Sequence, residues 1–107
     1  MLINNEHWDL CFVNPNDNIL YVGDGQYTYG VTIPEYRTIF ISNSISGELL
    51  HRVLCHELSH AEFVSRGLIL PIYIEECLAD IIADNIVDVG YIARNVHNNL
   101  CRYYGKC

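Results

Sequence analysis

The longest patterned stretch of the chain, residues 47–64, repeats apolar residues at the spacing of an α-helix. One apolar arc, drawn at about 100° per residue, consists of Leu50, Val53, Leu54, Leu58, Ala61 and Val64. The opposite, solvated side is predicted to hold Glu48, His51, Glu62 and Arg66. Ser46 is the expected N-cap of this helix, and Gly67 is its expected C-terminal stop.

Shorter runs of aromatic and β-branched residues precede this helix. Residues 27–33 and 37–42 flank Pro34-Glu35-Tyr36 and predict a β-hairpin. Residues 19–22 form a shorter β-type run that ends in a turn at Gly23-Asp24-Gly25. Residues 8–13 are compatible with either a short helix or a short strand. The strand at 37–42 is expected to lie at a sheet edge, where an extended substrate could pair with it.

Two further helices are predicted after the first, at about residues 72–89 and 91–103, with Gly90 between them. A run of strands followed by helices is typical of the α+β class. The expected architecture is therefore a small antiparallel sheet, made of the hairpin plus short strands, packed on the first helix and the two further helices. A chain of 107 residues fits one domain, 1–107.

Composition excludes several classes of protein. Half of the residues are hydrophobic and 18% are charged, so the chain can bury a real core. The net charge is −7 with only six Lys and Arg residues, which argues against nucleic acid as a partner because phosphate binding needs basic side chains. The sequence has no apolar run near the roughly 18 residues of a membrane span, so no membrane partner is expected.

The N-terminal residues and the cysteines bear on localisation. Residues 1–7 lack the basic and apolar regions of a signal peptide. The five cysteines are scattered, and no two have C-x-x-C spacing: Cys11, Cys55, Cys77, Cys101 and Cys107. Reduced thiols in a cytoplasm are the resulting expectation.

The first predicted helix contains the sequence H-E-x-x-H at His56-Glu57-Leu58-Ser59-His60. Residues four apart lie on the same helix face, so the two imidazoles can hold one zinc ion. Glu57 can then act as general base on a zinc-bound water. Both histidines fall between the apolar and the solvated arcs, where unpaired polar rings would be costly and a metal would satisfy them.

A catalytic zinc site usually has three protein ligands. The metzincin pattern is excluded, because Phe63 and Arg66 stand where it needs glycine and histidine. On the second helix Glu76 shares a face with Asp80, Ala83 and Val87. Glu76 is the predicted third ligand, and Asp80 is expected to bond the outer nitrogen of a ligand histidine. Glu75 points about 100° away, beside Ile82 and Ile86, and is expected to contribute little.

The segments 56–61 and 76–83 together resemble the ImmA/IrrE-type metallopeptidases, whose pattern is H-E-x-x-H followed by E-x-x-A-(N/D)-x-F-A. The resemblance covers residues 27–89, with Ile82 in place of the usual aromatic residue. It implies a minimal zincin-like fold of the gluzincin type with one Zn²⁺ per chain, in a protein from a phage or mobile element. It also implies a protein or peptide substrate, such as a repressor or another regulatory protein, in the cytoplasm of a bacterial host.

The predicted activity is zinc-dependent hydrolysis of a peptide bond. A second group should stabilise the oxyanion, and the sequence leaves four candidates open: Tyr91, His97, Tyr103 and Tyr104. Two other classes of function compete with this prediction. One is a noncatalytic zinc-containing binding protein, such as an inhibitor or a phage structural component, and the other is a structural α+β protein without metal.

Overall fold

The computed structural model describes residues 1–85, which form seven short strands and two helices. The strands are β1 (Leu2–Ile3), β2 (Glu6–His7), β3 (Asp9–Val13), β4 (Tyr21–Gly23), β5 (Gln26–Tyr27), β6 (Gly30–Ile33) and β7 (Thr38–Ser42). The helices are α1 (Gly47–Ser65) and α2 (Ile72–Asn85). This arrangement confirms the α+β class. The third helix expected at residues 91–103 lies outside the described residues.

The central sheet has three strands in the order β3-β7-β6. Strands β6 and β7 form the predicted hairpin, with Gly30 opposite Ile41 and Ile33 opposite Thr38. A 3₁₀ turn at Pro34–Tyr36 joins them, and Arg37 then adopts a left-handed conformation with φ 47°. Two-stranded ribbons, β1–β2 and β4–β5, flank this sheet. The hairpin brings β6 against α1, where the candidate chemistry lies.

The pairing of β3 departs from the expectation of a purely antiparallel sheet. Residues 9–13 form a strand that runs parallel to β7, so the sheet is mixed. β7 is therefore the central strand, and the expectation that residues 37–42 form an edge was wrong. Within residues 1–85 the edge strand next to α1 is β6. The local sequence could not show this, because strand order depends on where distant segments return to the sheet.

The main core lies between the central sheet and α1. Ile39 and Ile41 project from β7 and are fully buried together with Trp8 and Ala61. The predicted apolar arc of α1 packs on these residues. Burying each such side chain stabilises the fold by about 1.5–3 kcal/mol. This burial fixes the rotation of α1 about its axis, and the rotation determines where its polar residues point. Glu62 and Arg66 depart from the predicted pattern, since both side chains are largely buried and Arg66 Nε donates to Glu62 Oε1 at 2.8 Å.

Helix α2 returns along α1 after a short connection that starts at Gly67, which has a φ of 68°. Phe63 of α1 and Ile82 of α2 form a second buried cluster. Ala79 and Ala83 are also buried, and their small side chains allow the two helices to pack closely. No helix within residues 1–85 combines the length and the apolar character needed to cross a membrane.

Candidate metal centre

Three side chains predicted as ligands meet where α2 passes α1. Nε2 of His56 and Nε2 of His60 are 3.2 Å apart, as expected for residues one helical turn apart. The Glu76 carboxylate spans both rings, with Oε2 3.1 Å from His56 Nε2 and Oε1 3.1 Å from His60 Nε2. Among residues 1–85 these three form a group that could hold a metal ion.

The spacing of the donor atoms fits a tetrahedral zinc site. Zinc lies about 2.0–2.1 Å from histidine nitrogen and carboxylate oxygen. Two donors at that distance in a tetrahedron are about 3.3 Å apart, by geometry from the same bond lengths. The separations of 3.1–3.2 Å between the imidazole nitrogens and Glu76 match this value. Two histidines and one glutamate are also a known ligand set of catalytic zinc sites.

Each histidine is held from behind by a carboxylate of α2. Asp80 Oδ1 lies 2.9 Å from Nδ1 of His56, the position predicted for it. Glu75 Oε2 bonds Nδ1 of His60. The expectation that Glu75 projects away from the site was wrong. Its side chain is largely buried, because the close helix packing turns the first turn of α2 toward His60.

These outer bonds determine which imidazole nitrogens face the centre as acceptors. A carboxylate accepts hydrogen bonds, so Asp80 and Glu75 favour a proton on Nδ1 of each ring. In the tautomer with its proton on Nδ1, each ring presents the lone pair of Nε2 to the other ring and to the Glu76 carboxylate. Three converging acceptors repel one another unless a metal ion or a proton lies between them. The arrangement of all five side chains therefore suits a bound metal ion.

Glu57 lies beside this group and is not one of its three ligands. Its Oε2 is 4.0 Å from His56 Nε2, and only 7% of the residue is exposed. The Thr32 hydroxyl donates to Glu57 Oε1 at 2.8 Å. Burial raises the pKa of the Glu57 carboxyl, although the bond from Thr32 and the neighbouring histidines act to lower it. A carboxylate held in this way can exchange a proton with a group bound at the centre.

Gly30 allows β6 to approach α1 at this point. A Cβ atom on Gly30 would lie 2.9 Å from Val53 Cγ1, 3.0 Å from Glu57 Cγ and 3.0 Å from Ile41 Cδ1. These distances are too short for any residue other than glycine without movement of a neighbour. Gly30 therefore permits the spacing at which Thr32, two residues along β6, reaches Glu57.

A cleft crosses the candidate metal centre and widens on both sides of it. The two sides share four lining residues, Thr28, Gly30, His56 and Glu57. The larger side, here called the Val22 compartment, has a volume of about 400 Å³ and is lined further by Val22, Val31, Pro34, Val64 and Ile72, together with Thr32, His60, Glu75 and Glu76. The smaller side, the Tyr29 compartment, has a volume of about 260 Å³ and is lined further by Tyr29, Leu49, Arg52, Val53, Asp80 and Ala83.

Some predicted residues lie elsewhere. The four candidates for oxyanion stabilisation, Tyr91, His97, Tyr103 and Tyr104, fall outside the described residues. Thr32 and Gly30 were not predicted to belong to the site, and Glu75 was not predicted to contact a histidine. A glycine inside a strand pattern is a signal of close backbone approach, so Gly30 could have been suspected. Thr32 and Glu75 gave no such signal.

Comparison of the chain with models of protein families, with curated proteins and with solved structures finds no match in any of the three. The likeness to the ImmA/IrrE-type metallopeptidases therefore depends on the sequence motifs of the two helices alone. The geometry of the candidate metal centre is described by the distances between its side chains and by their burial.

Proposed function

We propose that this protein is a zinc-dependent metallopeptidase that hydrolyses a peptide bond in a protein substrate. The observation that carries the proposal is the convergence of two imidazole Nε2 atoms and one carboxylate at 3.1–3.2 Å, with a second carboxylate behind each imidazole. A purely structural cluster would have no need for this orientation of both rings. Three ligands also leave a fourth tetrahedral position for water or substrate.

Each residue of the site has a distinct part in the proposed reaction. His56, His60 and Glu76 would hold the ion. Zinc in such a site lowers the pKa of a bound water and polarises the carbonyl group of the substrate. Glu57, oriented by Thr32, would take a proton from the water that attacks the carbonyl carbon and pass it to the amine that leaves when the C–N bond breaks.

The surroundings of the site favour a polypeptide over a small molecule. β6 is an edge strand within the described residues, and it lies next to Glu57. An extended peptide can add to such an edge through main-chain hydrogen bonds. The cleft continues on both sides of the site, so a chain can pass through with its middle at the metal. The resemblance suggests a regulatory protein, such as a repressor, in the bacterial cytoplasm as the substrate.

The test compares the zinc-loaded wild type with Glu57→Gln on a mixture of unfolded proteins, with cleavage sites read by mass spectrometry. The wild type should cut, and Glu57→Gln should bind zinc equally but cut at least 100-fold more slowly, the usual contribution of a general base. Glu48→Gln is the matched control, because Glu48 is exposed in the first turn of α1 and should have no effect.

Zinc binding without cleavage in the wild type would contradict the enzymatic proposal. A noncatalytic zinc-containing binding protein would then be the better description. Absence of zinc binding would contradict both and favour a structural protein.

A further inference from the structure

The Val22 compartment is bordered by apolar side chains from four parts of the fold. Val22 comes from the β4–β5 ribbon, Pro34 from the 3₁₀ turn, Val64 from α1 and Ile72 from the first turn of α2. Val22 and Ile72 remain 63% and 67% exposed. Apolar side chains that converge on one cavity while still exposed are typical of a ligand-binding surface.

The polar groups that line this compartment already have partners inside the protein. Glu75 bonds His60, and the Thr32 hydroxyl bonds Glu57. The Thr28 hydroxyl donates to the carbonyl oxygen of Gly30 at 3.3 Å. Each of the two hydroxyls donates its single proton to its partner, so a hydrogen-bond acceptor entering here would lose its water without gaining a donor from them, which is unfavourable. An apolar side chain loses nothing by entering.

The two compartments differ in size, and both combine apolar with charged lining residues. The Tyr29 compartment contains Arg52, which pairs with Asp84 at 2.5 Å, and Asp80, which bonds His56. It is also the smaller of the two, at about 260 Å³ against about 400 Å³. The larger value lies within the range of about 300–1,000 Å³ typical of ligand pockets. Selection by a bulky group is therefore expected on the Val22 side.

The length of the cleft indicates how much of a peptide it can hold. Its lining on α1 extends from Leu49 to Val64. Fifteen steps of about 1.5 Å give about 22 Å along the helix axis. An extended chain advances about 3.3–3.6 Å per residue, so about six residues fit. His56 and Glu57 lie near the middle of this span.

We propose that the cleft takes an extended peptide segment of about six residues and selects a bulky apolar side chain, such as leucine or phenylalanine, in the Val22 compartment. Val22 and Ile72 are the specificity-determining residues. The selected side chain flanks the bond that is cut, an assignment that rests on the proposed peptidase function. The apolar selection itself rests on the lining of the cleft.

The experiment profiles cleavage of a random octapeptide mixture by the zinc-loaded full chain. The variants Val22→Ser and Ile72→Ser replace exposed apolar side chains, so they should fold and bind zinc as the wild type does. Ile69→Ser is the matched control, because Ile69 is 95% exposed and does not line the cleft. In parallel, peptides retained by zinc-loaded Glu57→Gln are sequenced, with and without Ile72→Ser added.

The wild type should prefer leucine or phenylalanine over alanine at one position beside the cut by about tenfold or more, the scale of discrimination by an apolar pocket. Val22→Ser and Ile72→Ser should each reduce that ratio several-fold, mainly through KM, and Ile69→Ser should not. Cleavage without such a preference, or with a preference that both variants leave intact, would overturn this inference and leave the peptidase function standing.

The sequencing of retained peptides tests the apolar selection even if the wild type does not cleave peptides. Retention of apolar peptides by Glu57→Gln, lost on adding Ile72→Ser, would support the apolar selection and contradict only the peptidase function. Neither cleavage nor selective retention would overturn both.

Discussion

The carboxylate of Glu75 bonds Nδ1 of His60, while the carboxylate of the next residue, Glu76, reaches Nε2 of the same ring. Neighbours on a helix point about 100° apart, so two adjacent residues rarely serve one target. Here they do, because the two nitrogens of the imidazole face different directions. The result is one ring bound on both sides by one helix.

This relationship leads to a prediction about metal affinity. Glu75→Gln should weaken zinc binding about 10–100-fold, the usual cost of losing the partner behind a ligand histidine. Asp80→Asn should have an effect of the same size, because Asp80 stands in the same relation to His56. Competition with a chromogenic chelator measures both affinities, and Glu35→Gln, at an exposed position, is the control. Unchanged affinity in Glu75→Gln would mean that its bond to His60 has no part in holding the metal.

Loss of a ligand should have a larger effect than loss of its partner. The purified protein should bind about one zinc per chain. His56→Ala, His60→Ala and Glu76→Gln should each weaken zinc binding much more than Glu75→Gln or Asp80→Asn does. Metal analysis after dialysis gives the stoichiometry. A variant in this group that retains stoichiometric zinc at wild-type affinity would place the site elsewhere.

Zinc should also stabilise the folded chain. An ion that binds only the folded state adds about 4 kcal/mol to the free energy of unfolding when its free concentration is about 1,000 times Kd. Thermal unfolding with and without a chelator should therefore give a clearly higher Tm for the zinc-loaded wild type. The same comparison on His60→Ala should show almost no shift. If the Tm of the wild type is the same with and without zinc, the ion does not bind the native fold at this site.

Much of the site was predictable because it lies on helices. The spacing of His56 and His60 fixes their common face whatever the rest of the chain does. Glu76 and Asp80 follow from the same periodicity on the second helix, and the structure places both against the histidines. Glu75 was judged by its face alone. The sequence does not reveal how close the two helices pack, and that distance decides whether its side chain reaches His60.

The sheet was less predictable because its pairings connect distant segments. The β6–β7 hairpin was foreseen from two runs of strand-forming residues around Pro34. The parallel return of β3 was not, since nothing in residues 9–13 specifies β7 as a partner or the direction of pairing. Thr32 was overlooked for a related reason. Its contact with Glu57 exists only because the hairpin packs on α1 at that register.

Gly30 provides a test of this packing. Gly30→Ala would place a methyl group about as close as 2.9 Å to Val53 and 3.0 Å to Glu57. Overpacking of this kind costs about 1–3 kcal/mol of stability, and activity should fall further because Glu57 must move. Adding Ile41→Val removes the Cδ1 atom of one neighbour and should recover part of the Tm but not the activity. Wild-type activity in Gly30→Ala would show that Glu57 does not depend on the close approach of β6.

The bond between Thr32 and Glu57 separates orientation of the base from its presence. The hydroxyl lies 2.8 Å from Oε1 of Glu57 and 3.0 Å from the Glu57 carbonyl oxygen, so its one proton can be shared between the side chain and the helix backbone. Thr32→Val keeps the shape of the residue and removes the hydroxyl, while Thr32→Ser keeps the hydroxyl and is the matched control. A hydrogen bond to a charged group contributes about 1.5–3 kcal/mol, which corresponds to roughly 10–150-fold in rate if the bond acts on the transition state.

We expect kcat to fall by a factor within that range in Thr32→Val and to stay near wild type in Thr32→Ser. Zinc affinity should be the same in both variants, because neither change touches a ligand. Equal loss in the two variants would point to packing, and zinc loss in Thr32→Val would mean that Thr32 supports the metal ligands instead of the base.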